Sequence, residues 1–165
     1  MGRKAANVPN KNRLALSILA GFMWLLCGSL TSPASQPGSS DSSFTDRTAS
    51  ALLGDIAFGL RAHNPDRMLG AFDIGKMADG RLFKQQVTSL FDQTVTIRVH
   101  FNQIQTTAAD GKGSATVNVE MEAEPSDDRI PPLRKHAQLS LTAENSSGKW
   151  RFTDVQPRSF FSIQP

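Results

Sequence analysis

The spacing of the apolar residues changes once along this chain, near Gln93, and that change restricts the possible folds more than any other feature. Before Gln93 the apolar residues recur about every 3.6 residues, as they do on one side of an α-helix. After it they alternate with polar residues, which is typical of β-strands with one buried face. A block of helices followed by a block of strands predicts an α+β fold.

Three helices are predicted ahead of the first strand. The first lies within residues 44–63, where the apolar residues form a continuous stripe. Asn64 followed by Pro65 predicts a new helix, because Asn caps helix N-termini and Pro fits the first helical position. The third helix begins near Asp79. Each helix has an apolar side that must be buried.

Four strands are predicted after the helices, and they form an antiparallel meander. The sequence Asp-Gly-Lys-Gly at 110–113 predicts a tight turn between the first two strands, which makes them a long hairpin. A second turn at 145–148 joins the last two strands. The strands are centred on residues 94–101, 115–122, 137–143 and 150–152.

Several short motifs lie at defined places along these elements. They are Ala-His-Asn-Pro at 62–65, Ala-Phe-Asp at 71–73, Lys-Trp-Arg-Phe at 149–152 and Ser-Phe-Phe at 159–161. With the order of the elements, they resemble small exported bacterial members of the nuclear transport factor 2-like superfamily over residues 44–163. The resemblance implies three helices packed in the concave face of a curved antiparallel sheet of about four strands, a cone with an apolar mouth.

The first 30 residues have the pattern of an export signal. Basic residues precede an unbroken apolar run from Leu14 to Leu26. This run is shorter than the ~20 residues that span a bilayer, which favours a cleaved signal peptide. The uncharged stretch continues to Leu30, so a retained membrane anchor stays open as the alternative. Either one predicts export to the periplasm, the cell envelope or the medium, with membrane contact through this segment only.

Three further predictions concern the N-terminal region: a linker, the role of Cys27 and the meaning of the positive net charge. Residues 31–43 are rich in Ser, Pro and Gly and precede a domain at 44–163. Cys27 follows Leu26 where a lipoprotein site has a small residue, so lipoprotein anchoring is not expected. Four of the 18 basic residues lie in the export segment, which leaves 14 against 15 acidic residues. The net charge of +3 therefore gives no support to a nucleic-acid partner.

Two carboxylates are candidates for an acid or base inside the cone. Asp154 follows Trp150 and Phe152 by twos, so strand alternation places it inward, where burial would raise its pKa. The alternative, which the residue type favours, is that Asp154 turns the strand toward Pro157 through a side-chain to backbone hydrogen bond. Asp73 is a weaker candidate with a similar alternative. The chain has no tyrosine, so it lacks the phenolic donor that the resemblance to steroid isomerases implies, and an enzyme is not the favoured prediction.

The histidines and glutamates predict no metal or cofactor site. His100 and His136 alternate with apolar neighbours, so both are expected on the outer face of the sheet, and His63 ends the first helix. The alternate residues from Glu120 to Glu124 form an acidic row on the same outer face, where solvation is expected. No metal and no cofactor are therefore predicted.

Three functions stay open, because the superfamily includes isomerases, cyclases, dehydratases and protein-docking domains. The first is a non-catalytic exported domain that binds a small apolar ligand in the cone. The second is an envelope interaction module that docks a partner or a second copy through the outer sheet face. The third is an isomerase or cyclase-type enzyme with Asp154 or Asp73 as the base. The pocket predicted for the first is lined by Phe72, Val99, Met121, Trp150, Phe152 and Asp154.

Overall fold

The computed structural model describes residues 43–163, and its elements follow the predicted order of three helices and four strands. The expectations for the export signal or anchor, for Cys27 and for the linker up to residue 42 lie outside the described residues. Within 43–163, no helix is both long enough and apolar enough to cross a membrane. The elements are α1 (Asp46–Arg61), α2 (Pro65–Leu69), α3 (Gly80–Asp92), β1 (Thr94–Ala109), β2 (Lys112–Pro125), β3 (Leu133–Ser146), β4 (Lys149–Gln156) and a C-terminal 3₁₀ turn (Arg158–Phe161).

Side-chain caps begin the first two helices. The Thr45 hydroxyl accepts the N–H of Thr48 at 3.3 Å, and the Asn64 side-chain oxygen accepts the N–H of Arg67 at 2.9 Å. Pro65 occupies the first turn of α2. These bonds satisfy N–H groups that have no partner within the helix. The predicted helix start at Asn64 is therefore confirmed.

The four strands form an antiparallel sheet in the order β1-β2-β3-β4, and the helices pack against one face of it. Directly opposed pairs such as Val99 with Met121 and Val117 with Leu139 lie on this covered face, called the inner face below. The uncovered side is the outer face. Helices packed against a curved four-stranded antiparallel sheet confirm the predicted α+β class.

A line of phenylalanine rings crosses the interior from β4 to the C-terminal 3₁₀ turn. The ring of Phe152 lies 5.8 Å from that of Phe72, and the ring of Phe72 lies 5.0 Å from that of Phe83. The Phe83 ring in turn meets Phe161 edge-on at 6.0 Å. Each of these side chains is at most 3% exposed. Burial of each phenylalanine side chain contributes about 1.5–3 kcal/mol to the stability of the fold. The packing of β4, α3 and the C-terminal turn against one another is therefore stabilised by these rings.

The first residues of the domain are held by a close contact with Gly113. A Cβ atom at Gly113 would overlap the ring of Phe44, so the approach of Phe44 to β2 requires glycine. The Phe44 ring also lies 5.1 Å from the ring of Trp150 on β4. The chain therefore enters the domain packed against both β2 and β4.

Candidate functional site

Four of the six residues predicted to line a ligand pocket form part of the hydrophobic core. Phe72, Val99, Met121 and Phe152 are 3%, 2%, 2% and 0% exposed. Phe152 contacts both Phe72 and Phe44 ring to ring. A ligand at these positions would have to displace the protein's own side chains. The alternation therefore identified the inward residues, and the inner face uses these four for packing.

Trp150 occupies a different environment at the rim of the inner face. Its side chain is half-buried, and its ring stacks obliquely on Phe44. The indole Nε1 is buried without a hydrogen-bond partner. A surface cavity of about 390 Å³ adjoins it, bounded by Phe44, the turn at 108–112 and Asn145. Since Nε1 itself is shielded, the cavity offers mainly an apolar wall.

Asp154 does not continue the inward alternation of Trp150 and Phe152, so its predicted place in the pocket is wrong. Phe152 pairs with Ala143, but Asp154 pairs with Thr142, and the intervening residue bulges out of the ladder. An extra residue in a strand reverses the direction of every side chain after it. Asp154 thus lies on the outer face.

The Asp154 carboxylate is held by the residues that follow it. The Arg158 guanidinium donates to it at 2.7 Å, and Gln156 donates at 3.2 Å. Partial burial raises the pKa of Asp154, but the hydrogen bonds from Arg158, Gln156 and the Val155 N–H outweigh it and leave the pKa below its ordinary value. A carboxylate that stays ionised and paired is a poor general acid or base near neutral pH. The alternative prediction, a side-chain to backbone hydrogen bond that turns the strand toward Pro157, is met in part: the carboxylate accepts the Val155 N–H, but its other bonds go to the side chains of Gln156 and Arg158.

Asp73, the second candidate base, makes a structural joint. Its N–H donates to the carbonyl of Phe152 at 2.8 Å, and its own carbonyl accepts the N–H of Lys76 at 3.0 Å. The first bond ties the turn after α2 to β4, and the second closes the turn itself. Its side chain is half-exposed, so Asp73 lacks the burial that a poised catalytic carboxylate needs.

The outer face carries ordered charges across β1, β2 and β3. The strand register gives two cross-strand rows, Arg98–Glu122–Arg134 and His100–Glu120–His136. These six residues are called the charged band below. The bases lie on the flanking strands β1 and β3, and the acids lie on the central strand β2. His100 and His136 are exposed, which confirms their predicted place on the outer face.

Ion pairs connect the band across the strands. Glu122 pairs with Arg134 at 2.8 Å and with Arg98 at 3.7 Å. His136 Nδ1 lies 3.6 Å from a carboxylate oxygen of Glu120. The side chains enclose a groove of about 300 Å³. Two further shallow cavities adjoin this groove around His136. The outer face is therefore uneven as well as charged.

Sequence reasoning found the exposure of these residues and missed their arrangement. The acidic row on β2 was visible as alternate glutamates, and Arg98, His100 and His136 were each visible as polar positions. The strand register decides which residues oppose each other, and the sequence of the hairpin did not reveal that register. Among residues 43–163, no group of three or more His, Cys, Asp or Glu side chains has a geometry suited to a metal ion.

No protein-family model matches the sequence, and no curated protein matches it either. Solved structures are similar in fold. A protein provisionally assigned as a scytalone dehydratase from Novosphingobium aromaticivorans matches with a TM-score of 0.60 at 12% identity, over 66% of this chain and 79% of its own. A nuclear transport factor 2-like superfamily protein from Salmonella enterica gives 0.59 at 8% identity, over 66% and 86%.

A third similar structure is the hexachlorocyclohexane dehydrochlorinase of Novosphingobium barchaimii, with a TM-score of 0.53 at 10% identity, over 66% of this chain and 82% of the enzyme. At such low identities the likeness concerns the backbone and not the chemistry of the site. The element order, the sheet with helices on its inner face and these structural matches together establish that the chain has the nuclear transport factor 2-like fold.

Proposed function

We propose that the domain is a non-catalytic interaction module that docks a second copy of itself through the charged band on the outer face. The observation that carries the proposal is the distribution of charge within the band. Acids occupy the central strand β2 and bases occupy β1 and β3 at the same level along the strands. A surface of this kind is complementary to itself.

The self-complementarity follows from a simple symmetry. Consider two outer faces packed together about a two-fold axis that runs parallel to the strands, between β2 and β3. The axis brings β2 of each copy over β3 of the other at the same level, so Glu122 meets Arg134 and Glu120 meets His136. Each contact occurs twice, as in any isologous interface. Opposite charges then face each other across the interface, which favours this pairing over one that places β2 on β2.

The functions inside the cone are less well supported. Phe72, Val99 and Phe152 fill the volume that a small apolar ligand would need, so the closed domain offers it no space at these positions. An isomerase or cyclase would need a poised base, and Asp154 is paired with Arg158 on the outer face. The names of the dehydratase and the dehydrochlorinase with a similar fold describe those proteins and supply no base here.

The proposed location is outside the cytoplasm, either in the envelope or released from it. This part rests on the export pattern of residues 1–30. Fractionation of cells that express the full chain, with and without residues 14–26, measures it. Loss of the chain from the envelope or periplasmic fraction on deletion supports export, whereas an unchanged cytoplasmic distribution contradicts it.

The docking proposal is tested by sedimentation equilibrium of the purified exported chain. Glu122→Arg brings like charges together at both copies of the contact, so we expect the dissociation constant of the dimer to rise by about tenfold or more. Asp92→Arg at the end of α3 makes the same change of charge away from the band and should leave association unchanged. A wild-type chain that stays monomeric at all accessible concentrations would sink the proposal.

A further inference from the structure

One row of the charged band places a histidine beside a glutamate on neighbouring strands. His136 on β3 and Glu120 on β2 are directly opposed in the sheet register. The His136 Nδ1 lies 3.6 Å from a carboxylate oxygen of Glu120, and the two side chains are 70% and 59% exposed. An imidazole nitrogen and a carboxylate oxygen are two of the ligand types that bind zinc in proteins. The pair therefore has the chemistry of half a zinc site.

The distance between the two atoms suits a single metal ion. Zinc binds imidazole nitrogen and carboxylate oxygen at about 2.0–2.2 Å, with four ligands at the corners of a tetrahedron in structural sites. Two ligand atoms at such corners lie about 3.4 Å apart. The observed 3.6 Å is close to that value. One chain contributes two ligands here, and within residues 43–163 no third His, Cys, Asp or Glu completes the group.

The two missing ligands come from the second copy in the proposed dimer, on which this inference rests. The two-fold axis between β2 and β3 brings Glu120 of each copy opposite His136 of the other at the same level. Neighbouring strands lie about 4.8 Å apart and packed sheets about 10 Å apart, so each of the four Cα atoms lies about 5–6 Å from the axis. Histidine and glutamate side chains are long enough to place their ligand atoms on a metal ion at the axis.

The other residues of the charged band do not form such a site. In the neighbouring row Glu122 meets Arg134, whose guanidinium is permanently charged and has no acceptor to offer a metal ion. His100 opposes Glu120 in the register, but it lies on β1, on the far side of β2 from the axis. Glu120 and His136 are therefore the two residues of the band placed to share a metal ion with a second copy.

We infer that two copies of the chain share one zinc ion on the dimer axis, bound by Glu120 and His136 of each copy. The two carboxylates balance the charge of the ion. The two imidazoles favour zinc over magnesium and calcium, which prefer oxygen ligands. All four ligands are protein side chains, as in structural zinc sites. A metal ion that binds the dimer and not the monomer strengthens association by mass action, so zinc regulates the docking.

Sedimentation equilibrium of the purified chain without a histidine tag, in EDTA and with excess zinc, tests this inference. We expect zinc to lower the dissociation constant of the wild-type dimer by about tenfold or more relative to EDTA. Magnesium at the same concentration should leave the dissociation constant unchanged, because it does not use the imidazoles. Equilibrium dialysis followed by metal analysis should find one zinc ion per two chains.

Variants at exposed positions identify the ligands without disturbing the core. His136→Gln and Glu120→Gln each remove two of the four ligands from the dimer, so the response to zinc should be lost in both. His100→Gln is the matched control, because it changes a histidine of the same row that lies away from the axis, and it should respond to zinc as the wild type does. A zinc response that survives in His136→Gln, equal strengthening by magnesium, or one zinc ion per chain would each overturn the shared site.

The measurement in EDTA separates this inference from the docking itself. A wild-type chain that dimerises in EDTA and does not respond to zinc would overturn the zinc site and leave the docking in place. A wild-type chain that stays monomeric both in EDTA and with zinc would overturn both. Dimers that form with zinc alone and are lost in His136→Gln would support the shared site and make the docking dependent on it.

Discussion

Alternate residues of β2 face two different environments. Toward the helices, Val119 and Met121 are 1% and 2% exposed and take part in the core. On the opposite side, the side chains of Glu120 and Glu122 are 59% and 35% exposed and pair with bases on the neighbouring strands. One strand thus provides the packing of the domain with one set of residues and its charged surface with the other.

This division indicates where recognition can occur in this molecule. Substitutions of the buried residues on the inner face should act on the stability of the whole domain, because these side chains have no free surface to offer a partner. Substitutions on the outer face should act on association and leave folding nearly unchanged, because exposed ion pairs contribute little to stability.

Phe152→Ala should have the largest effect. It removes a fully buried ring that contacts Phe72 and Phe44, so the free energy of unfolding should fall by about 3–5 kcal/mol. Urea unfolding followed by circular dichroism measures the change. The matched control is Leu82→Ala in α3, because Leu82 is 58% exposed. It should lower the free energy of unfolding by less than about 0.5 kcal/mol. Equal losses in the two variants would contradict the assignment of Phe152 to the core.

Gly113→Ala should destabilise the domain by about 1–3 kcal/mol, because the added Cβ overlaps the Phe44 ring. Gly54→Ala in α1 is the control, since a Cβ at Gly54 meets open space and alanine favours the helix. The two glycine substitutions are thus expected to have opposite signs in urea unfolding. A stabilising effect at Gly113 would show that Phe44 is free to move away.

Asp154→Asn tests the outer end of β4 through the pH dependence of stability. The pKa of Asp154 lies below its ordinary value of 3.8, so its ion pair stabilises the fold above that value and is lost as the pH falls through the lower, folded value. The carboxylate is 37% exposed and screened by solvent, so the contribution at pH 7 should not exceed about 1 kcal/mol. The wild type should therefore exceed Asp154→Asn in stability at pH 7, and the difference should disappear as the pH falls through the folded pKa, which lies below 3.8. A difference that persists in acid would exclude the charge as its cause.

His136→Gln should have the smallest effect, confined to association. In the proposed dimer His136 faces Glu120 of the other copy, with Arg134 and Glu120 of its own chain beside it. His136→Gln removes the imidazole that faces Glu120, so the dissociation constant of the dimer in metal-free buffer should rise by no more than about a few-fold. His63→Gln lies just after α1, away from the band, and should leave the dissociation constant unchanged. Sedimentation equilibrium measures both, and a larger loss of association in His63→Gln than in His136→Gln would contradict the pairing.

The sequence was sufficient for the elements of the fold because each has a local signal. Asn64 and Pro65 start a helix by their own chemistry, and the alternation after Gln93 defines most of the inner face of three strands. It fails at the start of β1, where a register shift between Thr94 and Thr96 leaves Val95 63% exposed. Asp154 was misplaced because a bulge of one residue leaves no trace in the alternation. The extra residue is Thr153, which is buried. Threonine is common in regular strands, so its presence does not reveal a bulge.

The charged band and the contacts of Lys135 with the C-terminal turn could not be predicted for a related reason. Both join residues that are distant in the sequence, such as Glu122 with Arg134 and Lys135 with Ser162. The pairing of Glu122 follows from the strand register, and the contacts of Lys135 follow from where the chain returns after β4. The residue types alone encode neither the strand register nor the path of the chain after β4.

The most direct test of docking by the outer face is to mix two variants with opposite defects. Glu122→Arg has only bases at the contact and Arg134→Glu has only acids there, so each alone should associate about tenfold or more weakly than the wild type. In the mixture both copies of the contact again join an acid to a base, so a heterodimer should form with an affinity close to that of the wild-type dimer. Sedimentation equilibrium of the 1:1 mixture measures this. A mixture that remains monomeric while the wild type associates would contradict the proposed pairing of β2 with β3.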